Sequence, residues 1–262
     1  MLPFYLRRHT EVSAHRFYIS PVQWSLKALT LDERESHHCV DVLRLAPGSR
    51  VVVFNGQGLE VIAEILSVEK SQVRLKPLLT VKTPPLPCGI TLAQAVPKGK
   101  NMDLIIQKAT ELGAAKIVPL LSERTVVQVD PADFQRRLEK WRLIVIEAAK
   151  QCGQNWLPQV VDPVTPKQFL GELDRFEVLL IASLQEGARS FKSVLKDFLD
   201  QHGRSPSSVL MLIGPEGDFT PAESALAKTA GCIPVTLGPI VLRAETAALF
   251  SLSVLSYELQ GS

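Results

Sequence analysis

The sequence predicts an α/β protein with two domains, a small N-terminal β-barrel-like domain and a larger domain built on a parallel sheet. Three observations predict this. Residues 1–79 contain short β-type stretches with one helix among them. Residues 80–89 (TVKTPPLPCG) hold three prolines, which stiffen the chain and remove backbone donors, so this segment is expected to be a linker. Residues 90–262 alternate strands with helices, as doubly wound parallel sheets do.

In the N-terminal domain, strands are expected at 16–19, 51–55, 59–66 and 72–78, where apolar stretches lie between turn-rich segments. One helix is expected to begin at Thr30 or Asp32 and to run to about Leu43. Glu33 and Glu35 would lie in its first turn, where the helix dipole favours acidic side chains.

In the C-terminal domain, each expected strand is followed by an expected helix. The strands are 90–96, 116–120, 177–182, 209–213 and 233–237. The helices are about 101–112, 131–151, 190–201, 221–230 and 247–259. Parallel sheets of this kind bind ligands beyond the carboxyl ends of their strands, so that edge is where a site is expected.

Composition excludes several classes of protein. With 46% hydrophobic and 21% charged residues in 262, the chain is neither disordered nor fibrous. A net charge of +2 argues against non-specific coating of nucleic acid but leaves a selective RNA partner open. Without a run of about 18 apolar residues or a signal-peptide core, we expect a cytoplasmic protein. Four widely separated cysteines without a CxxC pair predict neither a metal site nor a disulfide framework.

The strongest local signal is a glycine-rich turn within 209–223 (VLMLIGPEGDFTPAE), where an apolar strand leads through Gly214 to Gly217 into a helix. Thr220 is the expected N-cap of this helix and Glu223 the acid of its capping box. Glycines at the end of a buried strand let a ligand approach the bare backbone. A compact structural turn is the alternative, which spacing alone favours. The pattern is not a dinucleotide-binding loop, a P-loop or a hydrolase nucleophile elbow, so these explanations lack support.

A second glycine–proline loop, Gly238-Pro239, follows the next strand and leads through Arg243 and Glu245 into an apolar helix. Both loops should face one crevice, because the carboxyl ends of parallel strands share an edge. Arg243 could pair with a nearby carboxylate or clamp an anion or a carbonyl-rich ring, and the pattern leaves both roles open.

Several motifs together resemble one known family. They are GPEG at 214–217, LGPxxLRAETAAL at 237–249, KGKNMDLIIQKATELG at 98–113, SERTVV at 122–127, IVIEAAKQCG at 144–153, HRFYI at 15–19, HHCVDVLRLAPG at 37–48 and FNGQG at 54–58. Over nearly the whole chain and in the expected order, they resemble the bacterial 16S ribosomal RNA uridine N3-methyltransferase family.

The resemblance implies a SPOUT-class C-terminal domain, with a trefoil knot that binds S-adenosylmethionine, and a PUA-like N-terminal domain that binds RNA. Knots are so rare that the residue pattern alone would not predict one. The resemblance also implies a homodimer that needs no metal and methylates N3 of one uridine in 16S ribosomal RNA, within the small ribosomal subunit. The cofactor-binding residues that it implies are Gly214, Pro215, Glu216, Gly217, Leu237, Gly238, Pro239, Leu242, Thr246 and Ala247.

Arg243 is the expected catalytic group, stabilising charge on the uracil oxygens, and Glu245 would either orient Arg243 or accept the N3 proton. The RNA contacts are expected from Arg16, His37, His38, Arg44, Lys98 and Arg124. For the two histidines, a solvated helix surface is the alternative. The chain departs from the family pattern at Ile240, where arginine is frequent, at Asp218, where glycine is frequent, and at Lys100-Asn101.

Two other functions remain open on the sequence. One is a non-catalytic RNA-binding or ribosome-assembly protein that retains the fold. The other is an enzyme that uses a different nucleotide cofactor in the same crevice, which the missing phosphate loops make the weaker alternative.

Overall fold

A computed structural model describes residues 15–69, 72–99, 101–125, 131–173 and 176–261, with the side chains of 131–133 excepted. The chain forms two compact units. The first comprises Met1–Pro85 and Gly153–Trp156, and the second Leu86–Cys152 and Leu157–Ser262. The division between Pro85 and Leu86 falls inside the expected linker, whereas the sequence gives no sign that four residues from the second half of the chain join the first unit.

The first unit contains a five-stranded sheet with strand order β1-β3-β4-β5-β2. Its strands are β1 (Arg16–Tyr18), β2 (Leu29–Thr30), β3 (Arg50–Phe54), β4 (Leu59–Glu69) and β5 (Gln72–Lys82). Helix α1 (Glu33–His37) begins after Asp32, whose side chain accepts a hydrogen bond from the backbone N–H of Glu35. The expected helix does not stay α-helical to Leu43, because residues His38–Val42 form a π-helical turn.

Strand β5 corrects the prediction for the linker. It continues to Lys82, three residues into the segment that was expected to be a linker. Thr80 pairs with Val61 of β4, and Lys82 pairs with Leu59. The prolines that break the ladder, Pro84, Pro85 and Pro87, all come after that point. The break therefore begins at the prolines themselves, a few residues later than predicted.

The second unit is built on a six-stranded, fully parallel sheet with strand order β11-β9-β10-β6-β7-β8. The strands are β6 (Gly89–Ala95), β7 (Lys116–Leu120), β8 (Gln159–Val160), β9 (Val178–Ala182), β10 (Ser208–Ile213) and β11 (Ile233–Val235). The helices are α2 (Asn101–Glu111), α3 (Pro131–Cys152), α4 (Pro166–Gly171), α5 (Phe191–His202), α6 (Pro221–Thr229) and α7 (Ala244–Gln260). Short elements β8 and α4 were not predicted.

Both faces of the parallel sheet are buried, as the near-continuous apolar strands predict. Along β6, Ile90 and Leu92 pack into the core beneath α2, α3, α5 and α7. Ala93 and Ala95 pack on the other face, with residues of α4 and α6. The α/β class and the parallel sheet are thus confirmed, and the trefoil knot stays a prediction from the resemblance. Across the described parts of the chain, no helix combines the length and apolarity needed to cross a membrane.

Candidate active site

A cavity of about 270 Å³ opens at the carboxyl ends of β9 and β10, beside the start of α7. It lies at the sheet edge where parallel α/β folds bind their ligands. The residues that line it are Ala182, Ser183, Leu184, Ile213, Gly214, Pro215, Glu216, Asp218, Leu237, Gly238, Ile240, Val241, Leu242, Arg243, Ala244 and Ala247. Both predicted glycine–proline loops therefore border one cavity.

The sequence did not single out the contribution of β9. Ala182, Ser183 and Leu184 end or follow this strand, which pairs with β10 on the side opposite β6. The strand-end rule could have found them once 177–182 was read as a strand. Among the predicted cofactor residues, Gly217, Pro239 and Thr246 do not line the cavity within the described structure.

The two loops need glycine for different reasons. At Gly214, an added Cβ would lie 3.0 Å from Asp218 Oδ1 and 3.2 Å from the backbone nitrogen of Phe219, so the turn leaves almost no room for a side chain. Gly238 has open space around it but a φ of 119°, a conformation that other residues rarely adopt.

Gly217 differs from the expectation. Its φ is not positive, and an added Cβ would make ordinary contact with the side chain of Arg124, 3.5 Å away. The surroundings of Gly217 therefore do not by themselves require glycine, and its contact with the cofactor stays a prediction.

Loops that follow β6 and β7 meet the GPEG loop that follows β10. The backbone N–H of Lys98 donates to Glu216 Oε1 at 2.9 Å. Arg124 Nη1 donates to the carbonyl oxygen of Gly217 at 2.5 Å. Both Lys98 and Arg124 are exposed, so the fold brings two predicted RNA contacts beside the cavity.

Glu223 anchors the loop that carries Arg124. Its side chain is 6% exposed, and its two oxygens accept hydrogen bonds from Ser122 Oγ at 3.0 Å, the backbone N–H of Glu123 at 3.0 Å and that of Thr220 at 2.9 Å. The Thr220 bond belongs to the predicted capping box of α6. The other two reach across 100 residues of sequence, so no local pattern could have revealed them.

Arg243 and Glu245 lie at the start of α7. Arg243 is the N-cap residue, is exposed and lines the cavity, whereas Glu245 is half-buried in the first turn. Among the described residues, no hydrogen bond or ion pair involves either side chain. Glu245 therefore does not hold Arg243 in place here, and the expected orienting role is not formed.

Arg16 is turned into the first unit rather than toward solvent. Its Nη1 donates to Glu60 Oε2 at 2.5 Å and its Nη2 donates to Asn155 Oδ1 at 2.7 Å. The guanidinium also lies 4.8 Å from the centre of the Phe54 ring, and its side chain is only 15% exposed. This arrangement corrects the expected phosphate contact, because both terminal nitrogens of the guanidinium already have acceptors and the side chain is mostly buried.

The two histidines of the predicted RNA contacts differ in exposure. His37 is exposed, with Nδ1 2.7 Å from Asp41 Oδ2, whereas His38 is half-buried and packs edge-on against Phe17, with ring centres 6.1 Å apart. Arg44 is exposed and adopts a left-handed backbone with φ 55° just after the π-helical turn. Such turns are frequent at functional sites. Of the RNA contacts predicted in the first unit, His37 and Arg44 are the exposed ones.

Three of the four cysteines, Cys39, Cys88 and Cys232, are buried. Burial raises the pKa of Cys39 and Cys88 to about 11 and that of Cys232 to about 12. Their thiols stay protonated and behave as small apolar groups. In the described ranges, no group of three or more His, Cys, Asp or Glu side chains could hold a metal ion.

Two family models match the chain, an RNA methyltransferase domain over residues 84–256 and an RNA methyltransferase PUA domain over 31–78. Among curated relatives, ribosomal RNA small subunit methyltransferase E of Bacillus subtilis (strain 168) is 34% identical over 86% of this chain and 88% of its own. The protein of the same name from Synechocystis is 35% identical over 92% of this chain and 77% of its own.

Solved structures of two similar proteins contain the cofactor. A putative methyltransferase from Legionella pneumophila, in complex with S-adenosylmethionine, is 34% identical, with a TM-score of 0.83 over 94% of this chain and 98% of the other. Ribosomal RNA small subunit methyltransferase E from Neisseria gonorrhoeae, bound to S-adenosylmethionine, is 30% identical, with a TM-score of 0.80 over the same shares. The chain therefore belongs to the ribosomal RNA small subunit methyltransferase E family.

Proposed function

We propose that this protein transfers the methyl group of S-adenosylmethionine to N3 of one uridine in 16S ribosomal RNA, in the cytoplasm. Membership of the family supports methylation of ribosomal RNA with this cofactor. The position N3 and the uridine come from the resemblance of the sequence motifs. The observation that carries the proposal is the cavity between the two glycine–proline loops, with Arg243 in its lining.

The residues of the cavity fit the cofactor. The backbone of Gly214 and the carbonyl oxygen of Gly238 can hydrogen-bond an adenine, whereas the N–H of Gly238 already donates to Thr236 Oγ1 at 3.2 Å. Leu237, Leu242 and Ala247 offer apolar surface to the adenine ring. The charged residues of the lining are Glu216, Asp218 and Arg243, which leaves one negative charge in excess. S-adenosylmethionine has one positive charge in excess, so the two are complementary. Bound here, it supplies a methyl group made electrophilic by the sulfonium.

The chain itself must hold the uracil and assist the loss of its N3 proton. Charge then spreads to the two ring oxygens beside N3, and the planar donors of Arg243 can meet one of them while the N3 lone pair stays open to the methyl group. Because no described side chain holds Arg243, its donors are available to the substrate. Since Glu245 lies near Arg243 in sequence without pairing with it, we assign Glu245 the acceptance of the proton, directly or through water.

We assign the positioning of RNA to exposed basic and imidazole side chains in each unit. Lys98 and Arg124 lie against the GPEG loop of the second unit, and His37 and Arg44 are exposed in the first. Contacts of this kind to phosphates fix the register of the RNA and carry no base identity.

A homodimer is part of the proposal. Ile240 and Val241 beside the cavity are 69% and 76% exposed, and Tyr257 on α7 is 81% exposed. A second copy of the chain would remove these apolar side chains from water. Analytical ultracentrifugation tests this, because a monomer at micromolar concentration would contradict it.

The decisive test of activity uses 16S ribosomal RNA from cells that lack the protein, both free and within small subunits. The expected product is one 3-methyluridine per molecule, identified by mass spectrometry of nucleosides after incubation with S-adenosylmethionine. Methylation of another base or ring position would contradict the N3 assignment. Binding of cofactor and RNA without any transfer would favour the non-catalytic alternative.

A further inference from the structure

Asp218, directly after the GPEG motif, has an unusual backbone. Its φ of 61° lies in the left-handed region, which non-glycine residues rarely adopt. Aspartate enters this region more easily than most residues because its short side chain can hydrogen-bond locally. Here Oδ1 accepts a hydrogen bond from the backbone N–H of Phe219 at 2.7 Å, and the backbone N–H of Asp218 closes the turn on Pro215.

This geometry fixes a carboxylate at the cavity. Asp218 lines the cavity, and its Oδ1 lies 3.0 Å from the point where a Cβ on Gly214 would be. The negative charge is therefore held over Gly214, which lines the same cavity. Lys228, which lines a small neighbouring cleft together with Asp218, donates to Gln185 at 2.9 Å.

We propose that Asp218 makes the site selective for the charged cofactor over the neutral product, an inference that rests on the proposed function. In the transfer, the N3 proton passes to Glu245 and the N3 electron pair forms the new bond to the methyl carbon. The bond between that carbon and sulfur breaks, and its electron pair stays on sulfur. The sulfonium then becomes a neutral thioether. A fixed carboxylate attracts the cation before transfer and loses that attraction afterwards, so it favours binding of S-adenosylmethionine and release of S-adenosylhomocysteine.

The effect can be isolated with near-isosteric variants. Asp218→Asn keeps an oxygen that can accept from Phe219 and a side chain that tolerates the left-handed backbone, but it removes the charge. Asp218→Gly removes the whole side chain and suits the backbone. Asp162→Asn is the control, because it makes the same change in net charge at an exposed residue after β8, at the far edge of the sheet from β11.

Calorimetry on the full-length protein gives the ratio of dissociation constants for S-adenosylhomocysteine and S-adenosylmethionine. Because the cavity is partly open to solvent, which weakens the attraction between charges, we expect both Asp218 variants to lower this ratio only about fivefold. Asp162→Asn should leave it unchanged. Sinefungin, which carries an ammonium group in place of the methylsulfonium, should lose affinity in parallel with S-adenosylmethionine.

The outcomes separate this proposal from the proposed function. If wild type binds both ligands and the ratio in the folded Asp218 variants stays within twofold of it, the charge-selective role of Asp218 is wrong while the function stands. If wild type binds neither ligand, the proposed function fails, and this inference fails with it. Melting temperatures of the variants establish that they are folded.

Discussion

Replacing Glu223 tests the link between the loop that carries Arg124 and the start of α6. In wild type, its buried carboxylate joins three donors, the hydroxyl of Ser122 and the backbone N–H groups of Glu123 and Thr220. Glu223→Ala leaves these donors without their acceptor. Glu223→Gln keeps one oxygen as an acceptor but turns an NH₂ group toward a donor.

The contacts set the expected size of the effect. Taking about 1 kcal/mol for each of the three bonds, Glu223→Ala should destabilise the folded state by roughly 3 kcal/mol. Glu223→Gln should cost about half as much, and Ser122→Ala, which removes one bond, about 1 kcal/mol. In a unit of this size, 3 kcal/mol corresponds to a fall in melting temperature of roughly 6–12 °C.

Thermal unfolding measures these differences, and methylation measures their consequence. Because Glu223 anchors the loop that places Arg124 beside the GPEG loop, Glu223→Ala should also raise the KM for RNA more than the dissociation constant for S-adenosylmethionine. Equal melting temperatures for Glu223→Ala and wild type would refute the reasoning. So would a larger loss from Ser122→Ala than from Glu223→Ala.

Three further predictions follow from other sites. In urea unfolding, Gly58→Ala should destabilise the protein by about 2 kcal/mol more than Gly48→Ala. Both glycines have positive φ, but of the two only Gly58 has neighbours within 3 Å of an added Cβ. Equal losses of unfolding free energy in the two variants would contradict this prediction. Arg243→Lys should lower the rate of single-turnover methylation about a hundredfold, with little change in the cofactor affinity measured by calorimetry, because it removes a planar pair of donors. If rate and affinity fall in proportion, Arg243 does not act by stabilising charge on the uracil. Hydrogen bonds from Arg204 hold the pKa of Glu177 down at about 2, so the ionised carboxylate stabilises the fold above the usual pKa of glutamate, and this stabilisation is lost as the pH falls toward 2. The difference in unfolding free energy between wild type and Glu177→Gln should therefore shrink over that pH range. A difference that stays constant with pH would contradict this prediction.

The fold was largely predictable because its signals are local. The capping box of α6 joins Thr220 and Glu223, three residues apart, and the structure contains it as predicted. Helix α4 and strand β8 were missed because six and two residues are too few to establish a period. The π-helical turn after His37 was missed because its residues also fit an α-helix.

The site was predictable only where a residue's role depends on its own loop. Gly214 and Gly238 were found because glycine–proline turns at strand ends are visible in sequence. Arg16 was misread because one of its partners, Asn155, lies 139 residues away. A cation has the same local signature whether it meets a phosphate or a buried amide, so partners at that distance decide its role.

The distribution of charge explains why the net charge of +2 does not predict whether the protein binds RNA. The proposed reaction needs opposite charges close together, cations for the phosphates of the RNA and an excess of negative charge for the cofactor. Lys98 and Arg124 contact the GPEG loop, whereas Glu216 and Asp218 line the cavity. In a sum over the chain these charges cancel. Both partners interact with the local field, because at physiological ionic strength screening limits the reach of an exposed charge to about 8 Å.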